Sequence, residues 1–505
     1  MTAQLLNRLC RRMYRNSYAQ FLAPCDVRAV QMQYLYTLLR QNAGTVYGTA
    51  NGFAKIRSYR DFAESVSLTV YEDYAPYIDR IAEGEPHVLT AEPVNMLEPT
   101  SGSSGGKKLI PYTKTLKAEF QRGIRPWLCD LYTNVPGICR GKSYWSITPV
   151  TAGKQYTAAG IPIGFEEDSA YFGVIEQQIM RRLFAVDGSV RFADNTEQFY
   201  HDTAVQLLQC GCLSMISVWN PTFLTLLCGY LRDHAEALTR ELPQYRKKLH
   251  AARHGRFDLV FPGLRLISCW ADGSAEAEIP AVSALFPGVR IQPKGLLATE
   301  CFVSLPLIGE QGARLSIYSH FFEFRSLKTG RICTADKLTC GEYELIVTTG
   351  GGFYRYQIGD IVKVVGVYPD RPPRLRFLRR CGIASDLCGE KLTDDFVRGV
   401  CTALGIAGQF CLLAPEGKGY DLYTTAEGLT GEQLDRALCE SYHYRYCRQL
   451  GQLRSAHVIR VGGNPHRVCL ERLTAEGMRM GDIKPAFLSR RSGWRSYFET
   501  GGLDT

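Results

Sequence analysis

Residues Thr100 to Lys108 read Thr-Ser-Gly-Ser-Ser-Gly-Gly-Lys-Lys, a mixture that suits neither a core strand nor a helix. Glycine permits positive φ and close backbone approach. A loop of this kind can turn several N–H groups toward one point and form a nest for an anion. Its hydroxyls donate hydrogen bonds and its lysines add charge, so phosphate binding is the expected use. A flexible linker is the plain alternative. The flanks oppose it, because Pro99 stiffens the entry and Leu109-Ile110-Pro111-Tyr112 returns to ordered apolar chain.

Three chemistries compete for such a loop. A nucleotide P-loop needs four residues between its first glycine and Gly-Lys, followed by Ser or Thr. Here three residues separate Gly102 from Gly106, and Lys108 follows Lys107. A serine-hydrolase elbow needs G-x-S-x-G, which Gly102 to Gly106 satisfies with Ser104 as nucleophile. The third is the Ser/Thr/Gly-rich, lysine-ending loop of adenylate-forming enzymes, which the hydroxyl density fits best.

Three further segments carry chemistry. Asp360, in Tyr354-Arg355-Tyr356-Gln357-Ile358-Gly359-Asp360, can accept hydrogen bonds from a ribose diol, or can be an ordinary turn residue. Thr299-Glu300 closes the apolar run Gly295–Ala298; an acid there can hold Mg2+, or can be a solvated strand end. Lys484, fixed before Pro485 in an extended segment, can bring a point charge to a phosphate oxygen, or can be one more solvated lysine.

With 505 residues, 45% of them hydrophobic and 22% charged, the chain has the composition of a multi-domain globular protein. No window reaches the roughly 18 uninterrupted apolar residues of a membrane span. Met1 to Arg15 reads as a basic amphipathic helix rather than a signal peptide, and a weak membrane-surface role is its alternative reading. The net charge of +9 is spread along the chain, which suits a small anionic substrate better than nucleic acid. The 18 cysteines show no paired C-x-x-C spacing, so reduced cytosolic thiols are expected, with no metal cage and a cytoplasmic location.

Helical spacing of Leu116, Phe120, Ile124 and Trp127 predicts a helix over 114–134. Strands are expected at Ser214–Trp219, Leu264–Cys269, Val289–Ile291, Leu296–Leu297, Glu342–Thr348, Asp360–Val367 and Leu375–Arg380, with helix over 222–250. This order predicts a mixed α/β architecture. Pro369, Pro372 and Pro373 mark a boundary, giving an N-terminal domain 1–380 and a small α+β domain 381–505.

The order of these parts resembles the adenylate-forming superfamily, whose type member is firefly luciferase. It is most similar to the auxin-responsive acyl-acid amido synthetases, the Gretchen Hagen family. Thr100–Tyr112 resembles that family's S-S-G-T-T-x-G-K-x-K-x-I-P-F. Ser217–Pro221, Ala298–Cys301, Tyr354–Lys363, Arg374–Arg380, Tyr444–Arg448, His457–Val461 and Asp482–Pro485 match in order. The short linkers suggest a bacterial member.

The resemblance implies a large N-terminal domain with a small mobile C-terminal cap. It implies an ATP-dependent ligase that makes an acyl-adenylate from a carboxylic acid and passes the acyl group to an amine, usually of an amino acid. ATP and Mg2+ would be required, and neither nucleic acid nor an integral membrane would be a partner. Ser101, Ser103, Ser104 and Lys107 would hold the β- and γ-phosphates. Thr299 and Glu300 would lie by the α-phosphate, with Glu300 on Mg2+. Asp360 would bind the ribose, Tyr354 and Arg380 would join the nucleotide set, and Lys484 would stabilise adenylation. Arg122, Arg125 and Trp127 are candidates for the acyl pocket, with helix packing weighed ahead of that use for Trp127. The chain has Gly481-Asp482-Ile483-Lys484-Pro485 where the family has N-Q-Y-K-x-P, and Gln357 where it often has Arg. An acyl-CoA synthetase shares the first half-reaction and is the nearest alternative. A serine hydrolase using Ser104 is the more distant one.

Overall fold

The computed structural model describes the chain except residues 1, 101–107, 148–154, 165–172, 381–383, 389, 391, 450–451, 479–482, 484–485 and 501–505. Its internal packing divides the chain into two units, Met1–Leu378 and Arg379–Thr505. Helices and mixed sheets alternate through both, so the architecture is mixed α/β with a smaller C-terminal domain.

In the first unit, a parallel sheet runs Lys142–Trp145, Leu213–Ser217, Leu266–Cys269, Arg290–Pro293. Its two inner strands are buried at every residue, as expected of a parallel sheet covered on both faces. The strand predicted to reach Trp219 stops at Ser217. Asn220 ends it by capping the next helix: its side chain accepts from the Thr222 amide at 2.9 Å, and Pro221 takes the first helical position. The helix expected over 222–250 is broken into Pro221–Asp233, Ala235–Glu241 and Arg246–Arg253. Pro243 has no N–H with which to continue it.

A larger sheet has the order Ile332–Thr334, Phe321–Ser326, Gly341–Thr348, Tyr356–Gly366, Arg374–Arg380, Ala313–Leu315, Ser304–Pro306. The Lys114–Asn134 helix packs against it with Leu116, Phe120, Ile124 and Trp127 all buried, in the periodicity read from the sequence. Thr113 caps this helix, accepting from the Leu116 amide. Gly123, on the same face, is required by close approach: a Cβ there would enter the Phe302 ring.

The Ala3–Leu22 helix places Leu6, Cys10, Tyr14 and Phe21 in the core beside the Lys114–Asn134 helix. Tyr18 donates to Asp130 across the same interface at 2.8 Å. The stripe of Leu6, Cys10, Tyr14 and Phe21 is therefore consumed by packing, while Leu5, Leu9 and Met13 stay exposed. Among the described residues no helix is long and apolar enough to cross a membrane.

The second unit holds a sheet of Cys411–Glu416, Gly419–Thr424 and His457–Arg460, with its own buried clusters around Leu413, Leu422 and Trp494. Every cysteine among the described residues is a free thiol. Cys388, Glu390 and Cys447 bring their ligand atoms within 4.8 Å of one another. Glu390 is already engaged there, accepting from the Leu387 and Cys388 amides and from the Tyr420 hydroxyl.

Candidate active site

Met96–Thr100 and Lys108–Tyr112 form an antiparallel hairpin with Thr100 opposite Lys108. The glycine loop joins these strands. Ser101, Ser103, Ser104 and Lys107 lie outside the described residues. Lys108 packs over the Tyr71 ring at 5.2 Å, and the Leu109 amide donates to the Tyr71 hydroxyl at 2.7 Å. The second lysine of the motif thus steadies the base of the hairpin.

The far end of that hairpin is tied to Thr299-Glu300. The Tyr112 hydroxyl donates to the Thr299 carbonyl at 2.6 Å. Thr299 and Glu300 do not end a strand, as the apolar run before them suggested. They form the tip of a tight turn: Ala298 and Cys301 exchange backbone hydrogen bonds of 3.0 and 3.2 Å, and Leu297 bridges Phe302. Glu300 is buried at the tip. Burial first, and the nearby Glu300 charge second, hold the Cys301 thiol well above its ordinary range, so this cysteine is a packing residue.

Asp360 is buried on the Tyr356–Gly366 strand. The register against Gly341–Thr348 shifts there, from Glu344 opposite Ile361 to Ile346 opposite Gln357, so Ile358–Asp360 belong to a bulge. Gly359 takes φ 79° within it. A bulge re-aims side chains that a regular strand would alternate. Asp360 is therefore set by a bulge, not by the hairpin turn considered as its plain reading.

Tyr354, expected in the nucleotide set, has the surroundings of a core residue. Its ring is fully buried, stacked on Tyr47 at 5.4 Å and set edge-on to Phe53 at 4.7 Å. The Tyr74 hydroxyl accepts from the Tyr354 amide and donates to its carbonyl. Arg380 ends its strand and falls in the second unit, Arg379–Thr505. Lys484 lies outside the described residues, next to the buried Ile483.

Two buried polar networks hold these segments. Glu119, on the Lys114–Asn134 helix, accepts from the Gly350 amide at 3.0 and 3.1 Å and from the Tyr34 hydroxyl at 2.5 Å. His320 Nδ1 lies 2.9 Å from Glu119, off the line of a straight hydrogen bond. Its Nε2 accepts from the Phe302 amide at 2.9 Å, which places the proton of a neutral ring on Nδ1. In the second network Arg355, a non-glycine residue at φ 49°, makes a forked pair with Glu323 and donates to the carbonyls of Ala63 and Val66. Tyr59 donates to the same Glu323.

Beside the Thr299-Glu300 turn is an apolar cavity of about 620 Å3, its mouth included. Phe120, Trp127, Trp145, Trp219, Leu297 and Phe302 form most of its wall. Trp127 is therefore brought to a cavity and also fastened in place: its Nε1 donates to Gln292 at 3.1 Å. Arg122 stands apart from this cavity. Its side chain is exposed, donates to the Tyr318 carbonyl at 3.3 Å, and is not among the lining residues. Arg125 pairs with Glu176 at 2.9 Å instead.

Sequence reasoning missed Lys294, the one charged side chain among the described lining residues. Its ammonium lies 5.3 Å from the Trp127 ring centroid and 4.8 Å from that of Trp219, and donates to Ser217 Oγ at 2.7 Å. Trp145, Ser217, Trp219 and Lys294 all stand at or just past the carboxyl ends of parallel strands. Ligands of open α/β sheets bind at those ends. That topological rule, applied to the predicted strands, was the signal that could have found them.

The comparisons agree with this geometry. Residues 22–248 match the GH3 family N-terminal domain, and residues 314–380 match the GH3 family central domain. Indole-3-acetic acid-amido synthetase GH3.17 of Arabidopsis thaliana is 23% identical over 445 residues, covering 73% of this chain and 71% of its own. Jasmonoyl-L-amino acid synthetase JAR6 of Nicotiana attenuata is 23% identical over 432 residues, with 73% and 72% covered. The structure of the AtGH3.15 acyl acid amido synthetase in complex with 2,4-DB superposes with a TM-score of 0.81 at 19% identity, covering 99% of this chain and 96% of that one. A 2-hydroxyisobutyryl-CoA ligase shares the fold more distantly, with a TM-score of 0.52 at 11% identity over 94% and 90% of the two chains.

Proposed function

Because the chain belongs to the GH3 family, we propose that it activates a carboxylic acid with ATP and joins the acyl group to an amine, an amino acid being the expected one. The reading is carried by the likeness to amido synthetases, which runs through both family domains. The reaction proceeds in two steps. A carboxylate oxygen attacks the α-phosphorus of ATP, giving acyl-adenylate and pyrophosphate. The amine then attacks the acyl carbon, AMP leaves, and the nitrogen gives up its proton.

The residues divide this work. Ser101, Ser103, Ser104 and Lys107 cradle the β- and γ-phosphates from the loop between the hairpin strands. Tyr112, by donating to the Thr299 carbonyl, ties the hairpin's far end to the Thr299-Glu300 turn. Asp360 receives the ribose hydroxyls, and Arg380 joins the nucleotide set. The Trp-walled cavity receives the body of the acid. Glu300 offers buried carboxylate oxygens, the donor type a hard cation such as Mg2+ takes. Mg2+ there would neutralise phosphate charge.

Lys484 stabilises the charge that builds at the α-phosphate. Lys484→Ala is expected to lower acid-dependent pyrophosphate release by about 100-fold, with little change in thermal midpoint. Unchanged adenylate formation would remove its assigned role.

The decisive experiment screens carboxylic acids for AMP and pyrophosphate release, then identifies the product by mass with amino acids or with CoA. Acid-dependent release and an amide product are expected. A thioester product would make the protein an acyl-CoA synthetase. Fluorophosphonate labelling of Ser104, with turnover that needs no ATP, would make it a hydrolase.

A further inference from the structure

The second unit holds a group of side chains that the proposed ligase chemistry does not use. Its first hairpin pairs Ala384–Ser385 with Leu392–Thr393, and Cys388 and Glu390 lie between those strands. Cys447 reaches the same point from the Tyr442–Gln449 helix. Two thiol sulfurs and a carboxylate oxygen thus lie within 4.8 Å of one another. Glu390 and Cys447 are buried, and Cys388 is half-buried. The two cysteines are 59 positions apart, so C-x-x-C spacing does not reveal them.

The spacing is that of a coordination shell. Zinc takes thiolates at about 2.3 Å and carboxylate oxygens at about 2.0 Å. At the tetrahedral angle these lengths put sulfur and oxygen about 3.5 Å apart, and two sulfurs about 3.8 Å apart. Cys388 Sγ stands 3.4 Å from Glu390 Oε2 and donates its thiol proton to it. A metal in place of that proton needs little rearrangement. Glu390 is oriented from its other sides. Its Oε1 accepts from the Leu387 amide at 2.6 Å and from the Tyr420 hydroxyl, and its Oε2 accepts from the Cys388 amide at 2.8 Å. A carboxylate offers about four lone-pair sites; these amide and hydroxyl donors fill three, and the Cys388 thiol takes the fourth. Outer donors of this kind orient the ligands of metal sites. A free cysteine in ordinary packing behaves as a small hydrophobe. Here both thiols turn toward polar atoms, Cys447 donating to the Cys388 carbonyl at 3.5 Å.

We propose that Cys388, Cys447 and Glu390 bind one zinc ion in the second unit, with water in the fourth position. Three protein ligands and an open position form an established zinc geometry. Two soft sulfurs select zinc over Mg2+, which takes oxygen ligands. On binding, both thiols release their protons to solvent, two Zn–S bonds form, and one Glu390 oxygen completes the protein's share. The metal would join the hairpin at the start of the second unit to a helix far along it. Nothing in this site depends on acid activation, so it stands or falls apart from the proposed ligase reaction.

Cobalt and zinc test it. The full-length protein, reduced with a phosphine and stripped of metal by a chelator, is titrated with Co2+ and then with Zn2+. Tetrahedral, thiolate-bound cobalt shows sulfur-to-metal charge transfer in the near ultraviolet and intense visible bands. Alkylation of Cys388, read by peptide mass, is followed with and without Zn2+. The variants are Cys388→Ser, Cys447→Ser and Glu390→Gln. Cys210→Ser with Cys212→Ser, at the closest cysteine pair in the sequence, is the control.

One equivalent of Co2+ is expected to develop both signals, and one of Zn2+ to abolish them and shield Cys388 from alkylation. Cys388→Ser and Cys447→Ser should each weaken Co2+ binding by at least about tenfold, and Glu390→Gln should weaken it while keeping the charge transfer. The control pair should leave the titration unchanged. Cys388, being half-exposed, keeps the test readable if Cys447→Ser folds poorly. Absence of the signals at one equivalent of Co2+, or their persistence in Cys388→Ser, overturns the site. Their loss in the Cys210 and Cys212 control does the same. So does a Cys388–Cys447 disulfide in protein isolated without reductant, when the reduced protein is indifferent to Co2+.

Discussion

Arg355→Met is expected to destabilise the first unit by about 3–5 kcal/mol, the cost of removing one member of a buried ion pair. Methionine keeps much of the volume but strips the guanidinium. Glu323 then stays buried with the Tyr59 hydroxyl still donating to it, and the Ala63 and Val66 carbonyls lose the Arg355 donor. Denaturant unfolding of wild type and variant measures the loss. Arg355→Gly separates two contributions. It removes the same side chain but relieves a left-handed backbone that costs a non-glycine residue roughly 1–2 kcal/mol. The glycine variant also empties the volume that methionine keeps, so the difference between the two reads strain relief against a cavity. A loss below about 1 kcal/mol in Arg355→Met would show that the pair does not hold the fold.

Glu119→Ala should cost a comparable amount, again about 3–5 kcal/mol, because one carboxylate serves three segments. Its removal leaves the Gly350 amide and the Tyr34 hydroxyl without this acceptor, and takes the carboxylate from beside His320. Burial, with Glu119 next, holds the Tyr34 hydroxyl well above its ordinary pKa, so Tyr34 remains a donor throughout the working range. Glu119→Gln keeps one oxygen acceptor and should recover part of the loss. The two variants differ in a second readout. His320 fixes the Phe302 amide, so loosening it should redden cavity tryptophan emission in Glu119→Ala more than in Glu119→Gln. Equal stability of Glu119→Ala and wild type would dismiss the network as incidental.

How much of this was legible beforehand follows from the range of each interaction. The Lys114–Asn134 helix was readable because periodicity is local, and its four predicted core residues are all buried. Strand positions were readable wherever apolar runs were bounded by turn residues. Ends were misjudged where a side chain decided them, as Asn220 does by capping the helix after Ser217. Glu119, His320, Glu323 and Arg355 were invisible as partners. Each pair joins segments far apart in sequence, and a charged residue in one sequence reads as solvated surface. Tyr354 stands in a motif that reads as nucleotide chemistry, and its full burial was not readable from that motif. Arg122 and Trp127 share one helix, and the choice between them turned on which face the larger sheet covers.

The close approach of Gly123 to Phe302 has an evolutionary consequence. A methyl group at 123 would occupy the space of the phenylalanine ring that lines the cavity. The two positions therefore share a single volume, and a change of pocket depth must be negotiated between them. Gly123→Ala alone should impair folding and acid binding, and Phe302→Leu alone should leave a void of its own. Made together, each should offset part of the other's damage, so that their effects on stability fall well short of additive. The route by which this pocket can acquire a differently shaped acid then runs through paired substitutions, in which either single step is less fit than both ends.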